Sequence, residues 1–302
     1  YRWSDNNGIT WSPPLKLSLW ANSAIESTMK ITSAVYAGGS NIVLGISQSQ
    51  NSVGFSKSTD NGVSFTQYQM LTNGGITNPT LLSTGGGDLL MAVQEKNLSN
   101  TKLLLMKYSA GTGQWHDTTV ILQENDFVRN PKIYREQNGT IHIIYKRVKY
   151  GIGGFRNSDL FRISSADGGQ TWGTPVQLTK FAGEDTNPNV NPQSTVPLVI
   201  FSSYRQMPDR KIHLWWGNFL SLSDDDAPPA LYTAKMIPAT PAIGDSVYFS
   251  VYAGYHKSGL TGTIKGTMNG QNVEFPLYDD GLHNDSTAGD GIFRGLAKIA
   301  AQ

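Results

Sequence analysis

An all-β fold is expected for this 302-residue chain, with a large repeated domain ahead of a smaller β-sandwich. Three observations predict it. The first is a phrase at 165–172, Ser165-Ala166-Asp167-Gly168-Gly169-Gln170-Thr171-Trp172, of the form Ser-x-Asp-x-Gly-x-Thr-Trp. It recurs at 58–65, again at 4–11 with Asn6 replacing the acid, and in a worn, shorter copy at 109–115. The shared glycines Gly8, Gly62, Gly113 and Gly169 are 54, 51 and 56 residues apart. Such a period marks an array of one supersecondary unit. The second observation is the set Asn78-Pro79, Asn130-Pro131 and Asn187-Pro188, spaced 52 and 57 residues apart, each opening an apolar run. The third is composition: 32 glycines, 16% charged residues and no long stretch of helical periodicity, as in short strands joined by tight turns. A repeating β unit of this size is read as a blade of a propeller.

The octapeptide has a physical reading. Glycine supplies positive φ at a tight turn without steric cost. Ser and Asp side chains bond nearby backbone donors and close the turn, and the final Trp or Phe packs beneath it. Ser58, Asp60, Gly62 and Phe65, and likewise Ser165, Asp167, Gly169 and Trp172, are therefore assigned structural work. These octapeptides resemble the Asp-box (BNR) repeats of the sialidase superfamily, and 78–93 resembles the first two strands of a sialidase-like blade. The resemblance covers about residues 1–222. It implies fold more than activity, because Asp boxes also occur in propellers that are not enzymes.

The repeat marks divide the chain in order. One unit runs over 29–71, through strands 41–49 and 53–59; the next over 78–122, through 88–96 and 102–109. A third runs over 130–178, through 140–148 and 160–166. A fourth begins at Asn187, continues through 196–205 and 211–218, and has no octapeptide of its own. The segment 9–17 is expected to close that fourth unit as its outer strand, sealing the ring without edges. Four blades are thus expected in this chain, where the resemblance implies six. Both ends are expected to be cut from a longer protein, since residue 1 falls just before an octapeptide that belongs late in a blade. Polar, proline-containing residues 223–229 read as a linker. Strands over 230–237, 246–252, 262–268 and 273–277, with the hairpin pair Asn269-Gly270, predict an immunoglobulin-like β-sandwich over 230–302.

Composition excludes several classes. Net charge is +1 without a Lys/Arg block, so no nucleic-acid partner is expected. The chain has no cysteine, which removes disulfides and cysteine nucleophiles. No apolar run approaches the roughly 18 residues of a membrane span. His116, His142, His213, His256 and His283 are scattered without an i, i+4 pair, so zinc is not expected. Triplets at Asn97, Asn138 and Asn284 fit the N-glycosylation pattern and point to an extracellular or cell-surface setting. Of Trp215-Trp216, one indole is expected in the core and the other outside, where it could stack on a sugar.

If each octapeptide joins third and fourth strands, the opposite, top face collects first-strand starts and second-strand ends. That nominates Glu26, Asn78, Arg129 and Asn187, then Glu95, Tyr145, Arg147, Tyr204 and Arg205, with Tyr150 and Arg156 flanking a Gly-rich loop over the same face. The resemblance implies three arginines around a carboxylate, a Tyr nucleophile activated by Glu, and an Asp acid/base, a stated exception to the two-carboxylate scheme. Arg129, in Val128-Arg129-Asn130-Pro131, resembles the family's Arg-Ile-Pro element but stands after two octapeptides instead of before the first. Arg129, Arg147 and Arg205 form the candidate anion cluster, with Tyr204 and Glu26 as the weaker catalytic candidates; no Tyr/Glu pair or acid/base Asp is assigned. The stretch 279–293 resembles an Asp- and Gly-rich loop of immunoglobulin-like domains in bacterial and archaeal extracellular proteins. Its Asp279, Asp280, Asp285 and Asp290 suit Ca2+ or, equally, caps on backbone amides. The function expected is a sialidase-like surface module that binds glycans or proteins on its top face, with an adhesive or structural role and possible self-assembly. The alternative is an exo-glycosidase acting on terminal acidic sugars.

Overall fold

The computed structural model describes residues 4, 6, 8–14, 28–48, 52–96, 101–150, 156–180, 184–192, 194–203, 212–222, 233–253, 261–268, 271–285, 288 and 291–298. They form strands and no helix. The first sheet joins β1 (Met29–Gly38), β2 (Asn41–Gln48), β3 (Ser52–Ser58) and β4 (Gln69–Asn73) in chain order. The second joins β5 (Ile76–Gly85), β6 (Asp88–Lys96), β7 (Thr101–Ser109) and β8 (Gln114–Glu124). The third joins β9 (Phe127–Arg135), β10 (Ile141–Tyr150), β11 (Arg156–Ser165) and the two-residue β12 (Val176–Gln177). The fourth holds β13 (Asp185–Val190), β14 (Leu198–Ser203) and β15 (His213–Asn218). Of the expected outer strand 9–17, residues 9–14 form a turn and irregular chain instead of strand. Pro13 and Pro14 have no N–H to give a ladder, and 15–17 lie outside the described residues.

The chain divides into two compact units, one comprising 1–143, 164–173 and 191–195, the other 144–163, 174–190 and 196–302. In the first, the core fills the space between the first two sheets. Val35, Val43, Val53 and Phe55 meet Leu81, Leu89, Met91, Val93, Leu104 and Met106, with Tyr108 and Trp115 packed at the margin. The run 89–93 is buried at every residue, because β6 is covered on both faces; that is why it reads as continuous apolar sequence instead of alternating. Each such Leu, Val or Met contributes about 1.5–3 kcal/mol relative to exposure. On the other face of the first sheet, Leu44, Ile46 and Tyr68 bury Phe65 and Ile42 against them.

The second unit ends in a small β assembly. β16 (Thr233–Ile237), β17 (Ser246–Tyr252) and β20 (Ile292–Lys298) form a sheet, and β18 (Gly262–Met268) with β19 (Gln271–Leu277) form a hairpin. Met268 pairs with Gln271, so two residues connect the hairpin strands, the length an Asn-Gly turn serves. Val251, Ala253, Leu277 and Phe293 form one core with Phe249 and Ile264, which makes sheet and hairpin a single body. The linker 223–229 lies outside the described residues.

Candidate functional site

Three of the octapeptides close by one hydrogen-bond scheme. Ser165 Oγ donates to Asp167 Oδ1 (2.7 Å) and accepts from Gly169 N–H (2.8 Å). Asp167 accepts from Thr171 N–H (2.9 Å) and Thr171 Oγ1 (2.5 Å). Ser58, Asp60, Gly62 and Ser64 repeat these bonds at 2.7, 2.8, 2.9 and 2.5 Å. Ser4, Asn6, Gly8 and Thr10 follow the same plan, but Asn6 Nδ2 donates to Thr10 Oγ1 (2.7 Å) because an amide offers a donor where a carboxylate offers only an acceptor. Gly8, Gly62 and Gly169 all sit at φ +85°, a conformation costly to any residue with a Cβ. Hydrogen bonds from Ser64, chiefly its hydroxyl, hold the Asp60 pKa down at about 2, and Asp167 is lowered in the same way by Thr171. The turns at 58–65 and 165–172 join third to fourth strands, β3 to β4 and β11 to β12. The worn copy joins β7 to β8 and lacks the acid; there Asp88, from β6, accepts the Ala110 N–H (2.8 Å). These carboxylates are occupied in holding turns.

The opposite strand ends carry the polar candidates. In the first unit Asn78 and Asn130 take left-handed backbone, φ 55° and 53°, which Asn tolerates better than most residues. Between Thr77 and Thr80 the register slips by one residue, a bulge that re-aims the side chain between them. Asn78 Nδ2 donates to Gln94 Oε1 (3.1 Å) and to Asn130 Oδ1 (3.2 Å). Asn130 N–H donates to Gln94 Oε1 (2.9 Å), and Asn78 N–H to Ser47 Oγ (2.9 Å). One amide network thus ties β2, β5, β6 and β9. Beside it the Arg129 guanidinium lies 5.5 Å from the centre of the Phe127 ring, and Glu95 pairs with Lys102 at 2.8 Å. Lys132 donates to Thr32 O (3.5 Å), and burial pushes its ammonium pKa down. Ser47, Gln94 and Lys132 were not nominated by sequence; for Ser47 and Gln94 the available signal was a polar residue closing an apolar second-strand run.

In the second unit Asn187 repeats the left-handed backbone at φ 52°, with a register slip between Thr186 and Asn189. Lys146, buried, donates to Thr186 Oγ1 (2.9 Å). Tyr145 corrects an expectation: it is fully buried and stacked on Phe161 with centroids 5.9 Å apart, so it belongs to the core. Arg147, two residues on and on the same face of β10, rests its guanidinium 5.3 Å from the same ring. Glu26, Tyr204 and Arg205 lie outside the described residues. Tyr150 ends β10 and Arg156 opens β11, but their side chains lie outside the described set too. Trp216 is 73% exposed on β15, whereas Trp215 is half-buried.

In the C-terminal loop the described carboxylates serve backbone donors. Asp279 accepts from Gly291 N–H (3.0 Å), Asp280 from Leu282 N–H (2.8 Å) and Asp285 from Gly281 N–H (2.8 Å). Asp280 also meets His283 Nδ1 at 2.9 Å, and Asp285 faces the buried Arg294 at 3.7 Å. Asp290 lies outside the described residues. Among the described residues no group of three or more His, Cys, Asp or Glu side chains is placed to hold a metal ion. No helix among them is long and apolar enough to cross a membrane.

No family model matches the chain, and no curated protein matches it in sequence. Among solved structures, a protein of unknown function from Dyadobacter fermentans DSM 18053 is similar at TM-score 0.51 and 12% identity, over 81% of this chain and 76% of that one. An α-L-arabinofuranosidase from Fusarium graminearum, in complex with an iminosugar inhibitor, gives TM-score 0.46 and 12% identity, over 91% of this chain and 82% of that one. A Trypanosoma rangeli sialidase in complex with sialic acid gives 0.43 and 10%, over 90% of this chain and 54% of that one. The first likeness is one of all-β fold alone.

Proposed function

We propose that residues 1–222 are an Asp-box β-propeller followed by an immunoglobulin-like domain over 230–302, and that the chain is a binding module of an extracellular or cell-surface protein whose ligand is a glycan. The observation that carries this is the amide network of Asn78, Gln94 and Asn130 beside Arg129 and Lys132. Sugar hydroxyls both donate and accept, and so do carboxamides; the half-buried amides of Asn78 and Asn130, held on the buried Gln94, present such groups without conformational searching. Glu95 at the same strand ends is tied to Lys102, which suits an orienting role over acid/base work. An adhesive or structural role within a larger surface assembly follows from such a module.

The test is calorimetric titration of the full chain with neutral and acidic oligosaccharides, alongside hydrolysis of a fluorogenic sialoside and a second acidic glycoside. Saturable binding that weakens in Arg129→Ala, without turnover, is expected. Turnover abolished by Arg129→Ala would replace the binding role with an exo-glycosidase. A folded chain that binds no oligosaccharide would overturn the glycan reading and leave a protein ligand.

A further inference from the structure

The fourth sheet is apolar on its solvent face as well as on its buried one. Val199 and Phe201 of β14 are buried, and Ile200 between them lies on the other face, 43% exposed. Ile200 pairs directly with Trp216 of β15, which is 73% exposed. Residues opposite each other in an antiparallel pair share a face. Leu214, two residues before Trp216, is on that face too and 75% exposed. Ile212, just ahead of β15, is also exposed. An antiparallel sheet with one wet face ordinarily alternates apolar-in with polar-out, and here the outward positions are Ile, Leu and Trp. Neither β14 nor β15 contains Asp, Glu, Lys or Arg. Yet β15 is the last strand of its sheet, where charged side chains ordinarily keep copies of a protein apart. The four apolar side chains together expose roughly 500 Å2, the size of patch that marks an interaction site.

We infer that this face is a self-association surface, on which the fourth sheets of two copies of this chain stack face to face. A β-sheet is the occupant that fits, because the first two sheets already bury such faces against each other, Val, Phe, Leu and Met meeting across the gap. Stacked sheets lie about 10 Å apart. A second copy supplies the matching face: a two-fold contact sets the same patch on both sides, and β14 and β15 bring no charges there to repel. Two such patches bury on the order of 1,000 Å2 in total, the lower limit for a specific interface, so the dimer is reversible. Trp216 is its anchor, since buried Trp side chains carry a large share of interface energy. The surface does not depend on the amide network binding anything.

The experiment is sedimentation velocity of the full chain over roughly 1–100 μM, where the smallest specific interfaces dissociate. It is repeated on Trp216→Ser, Leu214→Lys and Val120→Lys, the last an exposed apolar residue on β8. Melting curves confirm that the variants fold. A concentration-dependent dimer is expected, weakened roughly thirtyfold or more by Trp216→Ser, abolished by Leu214→Lys and unchanged in Val120→Lys. A dimer that survives both Trp216→Ser and Leu214→Lys would overturn this surface and place the contact elsewhere. A wild-type chain that stays monomeric throughout would overturn self-association. If a neutral oligosaccharide then changed the tryptophan fluorescence of wild type but not of Trp216→Ser, the face would be a sugar platform instead.

Discussion

Replacing Ser165 by alanine isolates what the octapeptide turn contributes to stability. Ser165 is 2% exposed, and its Oγ is the acceptor for the buried Gly169 N–H at 2.8 Å. Alanine leaves that donor without a partner in a place water does not reach, since Gly169 packs so closely that a Cβ there would lie 2.9 Å from Leu105. An unsatisfied buried amide costs about 1–3 kcal/mol, whereas Asp167 loses one donor but keeps Thr171 and Gln170. Ser4 makes the same bond to Gly8 at the same 2.8 Å, but there the donor is exposed, so water replaces the hydroxyl and Ser4→Ala costs no more than about 0.5 kcal/mol. Urea denaturation of wild type and both variants gives the two differences at a common slope. Equal costs for Ser4→Ala and Ser165→Ala, or a cost below about 0.5 kcal/mol for Ser165→Ala, would refute the argument that burial, not the hydrogen bond by itself, gives the turn its weight.

Acid should loosen the same turns. The folded pKa of Asp60, about 2, lies below its ordinary 3.8, so its contribution is complete above the ordinary value and is lost as pH falls through about 2. Melting points measured from pH 5 to 2 should fall less steeply in Asp60→Asn than in wild type. Gly54→Ala places a Cβ 2.1 Å from Gln69 O and 2.5 Å from the Tyr68 ring, and should cost at least the ~1–3 kcal/mol of overpacking. Gly111→Ala, whose nearest neighbour is 3.8 Å away, should be neutral in the same denaturation series. Because the described loop carboxylates already hold backbone N–H groups, millimolar calcium or EDTA should move the melting point by less than about 1 °C; a larger rise with calcium would assign the ion to that loop.

The octapeptides and the Asn-Pro pairs were legible because both are local. A turn closed by residues four apart, and a bulge set by an Asn before a Pro, leave their chemistry in contiguous sequence. What surrounds them was not legible, since Ser47, Gln94 and Asn130 meet Asn78 across sequence separations of 31, 16 and 52 residues. Nor does alternation say which face of a doubly covered strand is the wetter one. Tyr145 was nominated for the top face and is buried in the core, whereas Lys146 makes a buried bond to Thr186.

In each of the three four-stranded sheets, and in the sheet of β13, β14 and β15, every strand lies beside its predecessor in the chain. Hairpin closure therefore needs only short loops, so the entropy of bringing distant segments together is small within a sheet. As the chain leaves the ribosome, each sheet can form once its last strand emerges, and a newly made sheet offers its neighbour a finished apolar face. Synthesis in one direction and assembly in one direction then coincide.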